Sequence, residues 1–486
     1  MALQYVSPPG EIIRHARSRL VSSLPHAGLG DAAVREHLEV DVLPALSSSS
    51  RSANYYGFVT GGSTVAASLA DKFVTDYDQN VQVHLPHETI ATDVEDSALR
   101  MICDLARLPE VKWTHRTFTT GATASNVLGL ACGREFVIRE AAKRQRSIKT
   151  VAEHGLIDAM QAAQITTVQI LTTVPHSSLR KAAAIVGLGR SSVKDVGRSD
   201  APHRFDMAAL SAALSQPGHA SIVAISCAEV NTGAFATIGR DLETIRRMCD
   251  THGAWIHVDA AFGLQARIIS EHDKAFDLIT EGVRDLELAD SITGDAHKLL
   301  NVPYDCGIFL SRHLEVGVEV FQNPNAAYLN AGSTTRTADE RTIPSPLNIG
   351  IENSRRFRAL PVYSTLVAYG EQGYRELLER QIKLARAIAS FILSEPRLQL
   401  LPRGGLSRED RDPIEHVYIV ALFRAQDDAL NANLVRNINA TRKIYVSGTS
   451  WDGKPAARFA ISNWQVDIER DMGLIRKVLL DVLQSS

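Results

Sequence analysis

Polar and apolar positions alternate along the chain with a spacing that changes twice. Ile12 to Leu24 and Asp31 to Leu46 repeat apolar side chains at intervals of three and four, which predicts two N-terminal helices. Short apolar runs rich in β-branched residues follow at Thr166 to Leu171, Ser221 to Ser226, Trp255 to Val258, Ser291 to Thr293 and Gly307 to Leu310. Helical patterns lie between several of them, such as Asp241 to His252 after the turn at Gly233 to Gly239. Strands alternating with helices predict crossover connections and a mostly parallel sheet covered on both faces. Near residue 350 the rhythm changes again. Arg355 to Leu393 reads as long helices punctuated by Gly370 and Gly373, followed by a break at Pro402 to Gly405. Strand patterns at His416 to Leu422, Ile444 to Ser447 and Arg458 to Ser462 precede a last helix, Ile468 to Leu483. The implied organisation is an N-terminal helical segment (1–75), a large α/β domain (76–350) and a smaller C-terminal α+β domain (351–486).

Composition narrows the class. The 486 residues are 45% hydrophobic and 22% charged, enough to bury two or three packed lobes. Fifty-two basic residues against 55 acidic ones leave a net charge of -3, without a long run of one sign. That balance gives no support to nucleic-acid or polybasic membrane binding. No stretch approaches the about 20 apolar residues that cross a bilayer. Pro8, Pro9, Gly10 and neighbouring charges stand where a signal peptide needs an apolar run. The five cysteines are scattered without a CxxC pair or a metal-ligand spacing, which argues against a disulfide framework. A cytosolic protein is expected. Motifs for nucleoside-triphosphate binding (GxxxxGK[ST]), zinc hydrolysis (HExxH) and the serine elbow (GxSxG) do not occur. Gly187-Leu-Gly-Arg begins like a dinucleotide fingerprint but lacks its third glycine.

Ligands of parallel α/β sheets sit beyond the carboxyl ends of the strands, and three polar residues fall there. His176 follows Leu171-Thr-Thr-Val-Pro, Asp259 ends Trp255-Ile-His-Val-Asp, and Lys298 follows Ser291-Ile-Thr-Gly-Asp-Ala-His. A fourth element, Thr119-Thr-Gly-Ala-Thr-Ala-Ser-Asn, opens a helical pattern with small hydroxylated residues suited to a phosphate. Singly, each has an ordinary structural reading: a helix cap, a turn former, a solvated lysine. Together, an amine, a carboxylate, an imidazole and a phosphate cradle are what pyridoxal phosphate requires.

His257-Val-Asp-Ala-Ala-Phe-Gly followed by Asp295-Ala-His-Lys resembles the pyridoxal-phosphate-dependent amino-acid decarboxylases, a family that includes glutamate and aromatic-amino-acid decarboxylases. The similarity runs in order from Asn54-Tyr-Tyr-Gly-Phe through Thr120-Gly-Ala-Thr to Arg355-Arg-Phe-Arg. The resemblance implies the pyridoxal-phosphate-dependent transferase fold (aspartate aminotransferase-like, fold type I) with a smaller C-terminal α+β domain. It further implies a homodimer and decarboxylation of an L-amino acid, aromatic or related, to the amine. By the same resemblance Lys298 holds the cofactor as a Schiff base, Asp259 pairs with its ring nitrogen, and His176 stacks on its face. Ala122 and Thr123 meet the phosphate, with Asp295 and His297 close by and Ala261 beside Asp259. Asn231, and less directly Glu229, face the cofactor's hydroxyl. Tyr55, Tyr56, Phe58 and His84 match segments that line the substrate pocket.

Two departures stand out. The family often has Asn in the place of Asp295, and an anionic side chain facing a phosphate suggests a backbone cap instead. Aromatic-amino-acid decarboxylases carry a loop tyrosine that returns a proton to the substrate; ungapped alignment on Arg355 puts Pro346 there, and Tyr328, the only tyrosine nearby, is the catalytic candidate the resemblance leaves in its place. Oxidation of the decarboxylated substrate to an aldehyde, or formation of a carbon–carbon bond, is therefore the alternative outcome. A non-catalytic scaffold of the same fold is the remote one.

Overall fold

The computed structural model describes residues 5–270, 272–323, 343–402 and 412–484. Backbone contacts divide the chain into two compact units, Ser63–Glu379 with Pro402–Tyr418, and Met1–Gly62 with Arg380–Leu401 and Ile419–Ser486.

The larger unit is built on a seven-stranded sheet. Its strands in chain order are β1 (His115–Thr119), β2 (Thr167–Thr172), β3 (Val193–Asp195), β4 (His219–Ser226), β5 (Trp255–Asp259), β6 (Ser291–Asp295) and β7 (Gly307–Ser311). Their spatial order is β1-β7-β6-β5-β4-β2-β3. The pairs from β3 to β6 are parallel, whereas β7 runs antiparallel to both β6 and β1. The five runs expected from β-branched content are therefore strands, and the sheet is mostly parallel. β1 and β3 are additions. β1 reads His-Arg-Thr-Phe-Thr, too polar to stand out, and β3 has only three residues on the sheet edge.

A 23-residue helix, α1 (Ala122–Arg144), packs across this sheet, and Leu128, Leu130 and Ile138 join Ile170, Ile222, Trp255 and Phe309 in one apolar core. Its approach depends on two glycines one turn apart. A Cβ at Gly129 would lie 2.2 Å from the His257 ring, and one at Gly133 would lie 2.9 Å from Trp255. Glycine in a helix interior costs about 1 kcal/mol relative to alanine; here it makes the groove that receives two side chains of β5.

The smaller unit holds a five-stranded sheet in the order Tyr55–Tyr56, Tyr445–Trp451, Lys454–Ala460, Val420–Ala425, Leu398–Leu401. All its pairings are antiparallel except that of the two-residue strand. The expected final helix is present as Ile468–Gln484. The strand expected at Arg458 to Ser462 starts earlier, at Lys454, because a tight turn with Asp452 at φ 49° and Gly453 at φ 72° folds it back on Trp451. The two N-terminal helices are shorter than expected. The first covers Gly10–Arg19, and Leu20 leaves it extended. The second covers Asp31–His37 and continues as a widened turn (Leu38–Val42) and a tightened one ending after Pro44. Among the described residues no helix is long and apolar enough to cross a membrane. All five cysteines are buried and free.

Candidate active site

The candidate residues of the larger unit gather where strands end. Lys298 lies on a four-residue helix, Ala296–Leu299, that begins directly after Asp295, the last residue of β6. Its Nζ is 2.9 Å from Asp295 Oδ2, and 5.5 Å above the ring of Phe262, in the turn that follows β5. The Asp295 side chain is 4% exposed and that of Lys298 20%. The other oxygen of Asp295, Oδ1, accepts the backbone N–H of Ala122 at 2.6 Å. A carboxylate thus caps the N-terminus of α1, where the partial positive charge of a helix gathers. The expectation of a backbone cap at Asp295 agrees with this contact. His297 Nε2 stands 3.7 Å from Asp295 Oδ1, and its Nδ1 accepts the N–H of Cys306 at 3.3 Å. Burial pushes this imidazole below the ordinary histidine range, against the pull of Asp295.

Gly121 opens the mouth of α1. A Cβ there would fill space at 3.5 Å from His297 and 3.6 Å from Asp295. Gly307 lets the strand ends close up, since a Cβ would meet Gly121 Cα at 2.5 Å. Ala122 and Thr123 form the first turn of the helix, half-buried.

Asp259, on the central strand β5, is held at both oxygens. Oδ2 accepts the side-chain amide of Asn126 at 2.8 Å, and Oδ1 the N–H of Ala261 at 3.3 Å. Asn126 also donates to Ser178 Oγ at 3.1 Å, and that hydroxyl is 2.7 Å from His176 Nδ1. His176 caps the helix Ser177–Ile185 by accepting the Ser178 N–H at 3.2 Å, and its ring is exposed. Asp259 and His176, 83 positions apart, are thereby connected through Asn126 and Ser178.

Other expected residues are placed differently. The Glu229 carboxylate is buried and accepts the backbone N–H groups of Asn231 and Thr232 and the Thr232 hydroxyl, each at 2.9 Å. It is a loop staple, and Asn231 beside it is half-buried. His84 is half-buried, with Nδ1 2.7 Å from Thr92 Oγ1 and its N–H on Ser345 Oγ at 3.0 Å. Tyr55, Tyr56 and Phe58 belong to the smaller unit. Tyr55 stacks on Tyr445 at 4.5 Å, Tyr56 is buried against Phe459, and Phe58 is 66% exposed at φ 56°. Tyr328 lies outside the described residues. Pro346 is buried and starts a tight turn, Pro346–Asn348, with no hydroxyl to offer.

Asn126, Ser178, His257 and Ser291 were not singled out in the sequence. The signal that sequence offers for Asn126 is an amide on a helix face otherwise occupied by apolar and small residues. The side chains present suit pyridoxal phosphate. They supply an amine, a carboxylate held at both oxygens, an exposed imidazole, and a glycine-opened helix N-terminus. The carboxylate of Asp295 at that terminus is the one member of opposite tendency.

The chain matches the family model of the pyridoxal-dependent decarboxylase conserved domain over residues 34–405. It is 26% identical over 375 residues to L-2,4-diaminobutyrate decarboxylase of Acinetobacter baumannii, covering 75% of this chain and 68% of the relative. Phenylacetaldehyde synthase of Arabidopsis thaliana is 23% identical over 384 residues, covering 76% and 70%. Among solved structures, Oryza sativa TDC with PLP and tryptamine superposes with a TM-score of 0.77 at 19% identity, over 99% of this chain and 93% of that one.

Proposed function

The chain belongs to the pyridoxal-dependent decarboxylase family, and on that premise we propose that it removes carbon dioxide from an L-amino acid with an aromatic or related side chain. It is a carboxy-lyase whose cofactor is pyridoxal phosphate. The observation that carries the proposal is the seat of Lys298, its amine 2.9 Å from Asp295, which itself caps the glycine-opened helix N-terminus.

When bound, pyridoxal phosphate supplies an electron-accepting ring conjugated to the substrate nitrogen, which takes up the electron pair left as the bond from Cα to the carboxylate breaks. Lys298 is the residue to hold it covalently. Asp259 is the carboxylate to keep a proton on its ring nitrogen, with Asn126 and Ala261 fixing the direction of both oxygens. Ala122 and Thr123 offer the helix N-terminus to the phosphate, beside His297. His176 offers an imidazole face to the ring. His84 and the exposed ring of Phe58 are the side chains proposed for the substrate, together with Tyr55 and Tyr56 as the packed segment that carries Phe58.

A second outcome has its own support. Pro346 lacks the hydroxyl that returns a proton in the resembled decarboxylases, and one relative is a phenylacetaldehyde synthase. In that branch oxygen and water are consumed, and aldehyde, ammonia and hydrogen peroxide leave with the carbon dioxide. Product analysis on a panel of L-amino acids separates the two. Equal amounts of amine and carbon dioxide without oxygen uptake support simple decarboxylation; aldehyde and peroxide with oxygen uptake replace it.

A second copy of this chain is the proposed partner. Leu20, Val21, Leu24, Val40, Leu43 and Leu46 are exposed along the N-terminal segment, Leu24 at 96%. Apolar faces of this kind are covered in symmetric oligomers. Sedimentation of the full chain tests it: a monomer at micromolar concentration would rule it out.

A further inference from the structure

A buried hydrogen-bond chain runs beneath the site from β5 to its rim. Trp255 Nε1 donates to Ser291 Oγ at 2.9 Å, and Ser291 Oγ is 2.8 Å from His257 Nδ1. His257 Nε2 is 2.9 Å from Asn126 Oδ1, and the Asn126 amide nitrogen reaches Asp259 at 2.8 Å and Ser178 at 3.1 Å. Trp255, Ser291, His257, Asn126 and Ser178 are all buried.

The chain has one possible direction, because both ends are chemically one-sided. An indole N–H only donates, and a carboxylate only accepts. Facing Asp259, the Asn126 amide must present its NH2 there, since the flipped amide would set two acceptors 2.8 Å apart. Oδ1 then accepts, so the His257 proton resides on Nε2. His257 is buried and its pKa is pushed down to about 4 by desolvation, which keeps the ring neutral and Nδ1 bare. Nδ1 therefore accepts the Ser291 hydroxyl, whose oxygen is already receiving the Trp255 N–H. On the other branch Ser178 Oγ accepts from Asn126 and turns its own proton to His176 Nδ1. The Ser178 backbone N–H points to the same atom at 3.2 Å.

We infer that Asn126 is the positioning residue of this site: one buried amide, polarised from Trp255, orients Asp259 and joins it through Ser178 to His176, whose proton the Ser178 backbone N–H keeps on Nε2. His176 then meets its surroundings at Nε2 as a hydrogen-bond donor, and is not a general base there. The consequence for catalysis rests on the proposed decarboxylation; the proton positions do not.

The test is nitrogen-15 NMR of the full chain labelled at histidine, first without added cofactor and then with pyridoxal phosphate. His176→Gln and His257→Gln identify the two rings. Both rings are expected as Nε2–H tautomers, with the chemical shift of a bare acceptor at Nδ1. Asn126→Leu, close to isosteric, removes the His257 partner, and His257 is expected to shift towards a mixture of tautomers; His176 keeps its proton on Nε2 because the Ser178 N–H remains. Ser291→Ala is the second variant, removing only the donor to His257 Nδ1; because Asn126 Oδ1 still accepts the ring proton, His257 is expected to stay an Nε2–H tautomer with its Nδ1 shift moved, and a switch of the proton to Nδ1 would count against the inference. A wild-type spectrum with the proton on Nδ1 of either ring, or with His257 unchanged in Asn126→Leu, overturns the inference. No turnover is needed, so an inactive protein with the expected tautomers would sink the decarboxylase proposal alone.

Discussion

The Asn126 amide nitrogen lies 2.8 Å from Asp259 Oδ2, joining the first turns of a long helix to the end of the central strand across 133 positions of sequence. If Asp259 holds the proton on the cofactor nitrogen, removing its charge should cost more than removing the group that aims it. Asp259→Asn is expected to lower kcat/KM by about 10²–10³, the scale of a lost electrostatic contact to the reacting system. Asn126→Leu is expected to lower it by about tenfold, the lower end for a group that orients a functional side chain. Steady-state kinetics at measured cofactor occupancy checks both; equal losses would contradict this division of roles.

Asp295 places a carboxylate where the cofactor's phosphate is proposed to bind. Asp295→Asn keeps an oxygen for the Ala122 N–H but removes the like charge and the ion pair with Lys298. Tighter binding is expected, by about tenfold, or ~1.4 kcal/mol. Titration of cofactor-stripped protein, followed by absorbance, measures it. A weaker complex would mean that Asp295 acts mainly through Lys298.

Gly129 and Gly473 are both helix-interior glycines with opposite surroundings. A Cβ at Gly129 would overlap the His257 ring, whereas one at Gly473 meets nothing within 4 Å. Gly473→Ala is expected to stabilise by up to about 1 kcal/mol through helix propensity. Gly129→Ala is expected to destabilise by about 1–3 kcal/mol through overpacking and to disturb the hydrogen bonds of His257. Urea midpoints of the two variants against wild type decide this.

Much of this organisation is legible from the residues because burial on both faces forces continuous apolar runs. Trp255 to Val258 and Ser291 to Thr293 lie within a residue or two of their strands for that reason. Edge and hairpin strands carry no such demand, and Lys454-Pro-Ala-Ala could be found only from the Asp452-Gly453 turn beside it. The ends of the N-terminal helices depend on local unwinding at Leu38–Val42, which no periodicity shows. At the site, residue types at strand ends announced Lys298, Asp259 and His176. The partners of Asn126 were hidden, because they depend on how closely a helix lies on a sheet, and two glycines set that distance.

Three buried histidines make stability depend on acid. Burial pushes His115, His203 and His257 from 6.5 to about 4. Between those values the unfolded chain binds protons that the folded chain refuses. Their contribution is complete above about pH 6.5 and is lost as pH falls towards 4, by up to about 1.4 kcal/mol per unit for each group. Urea midpoints at pH 7, 6 and 5 are expected to fall progressively, and less steeply in His203→Asn. Flat midpoints over that range would contradict the assignment.

The most direct test of the central claim is the visible spectrum of the protein purified with pyridoxal phosphate, for wild type and Lys298→Ala, before and after adding L-amino acids. A lysine-bound cofactor band in wild type, absent from Lys298→Ala, together with release of carbon dioxide by the wild type alone, is the predicted result. The same band in both proteins, or none in the wild type, would contradict the assignment of Lys298.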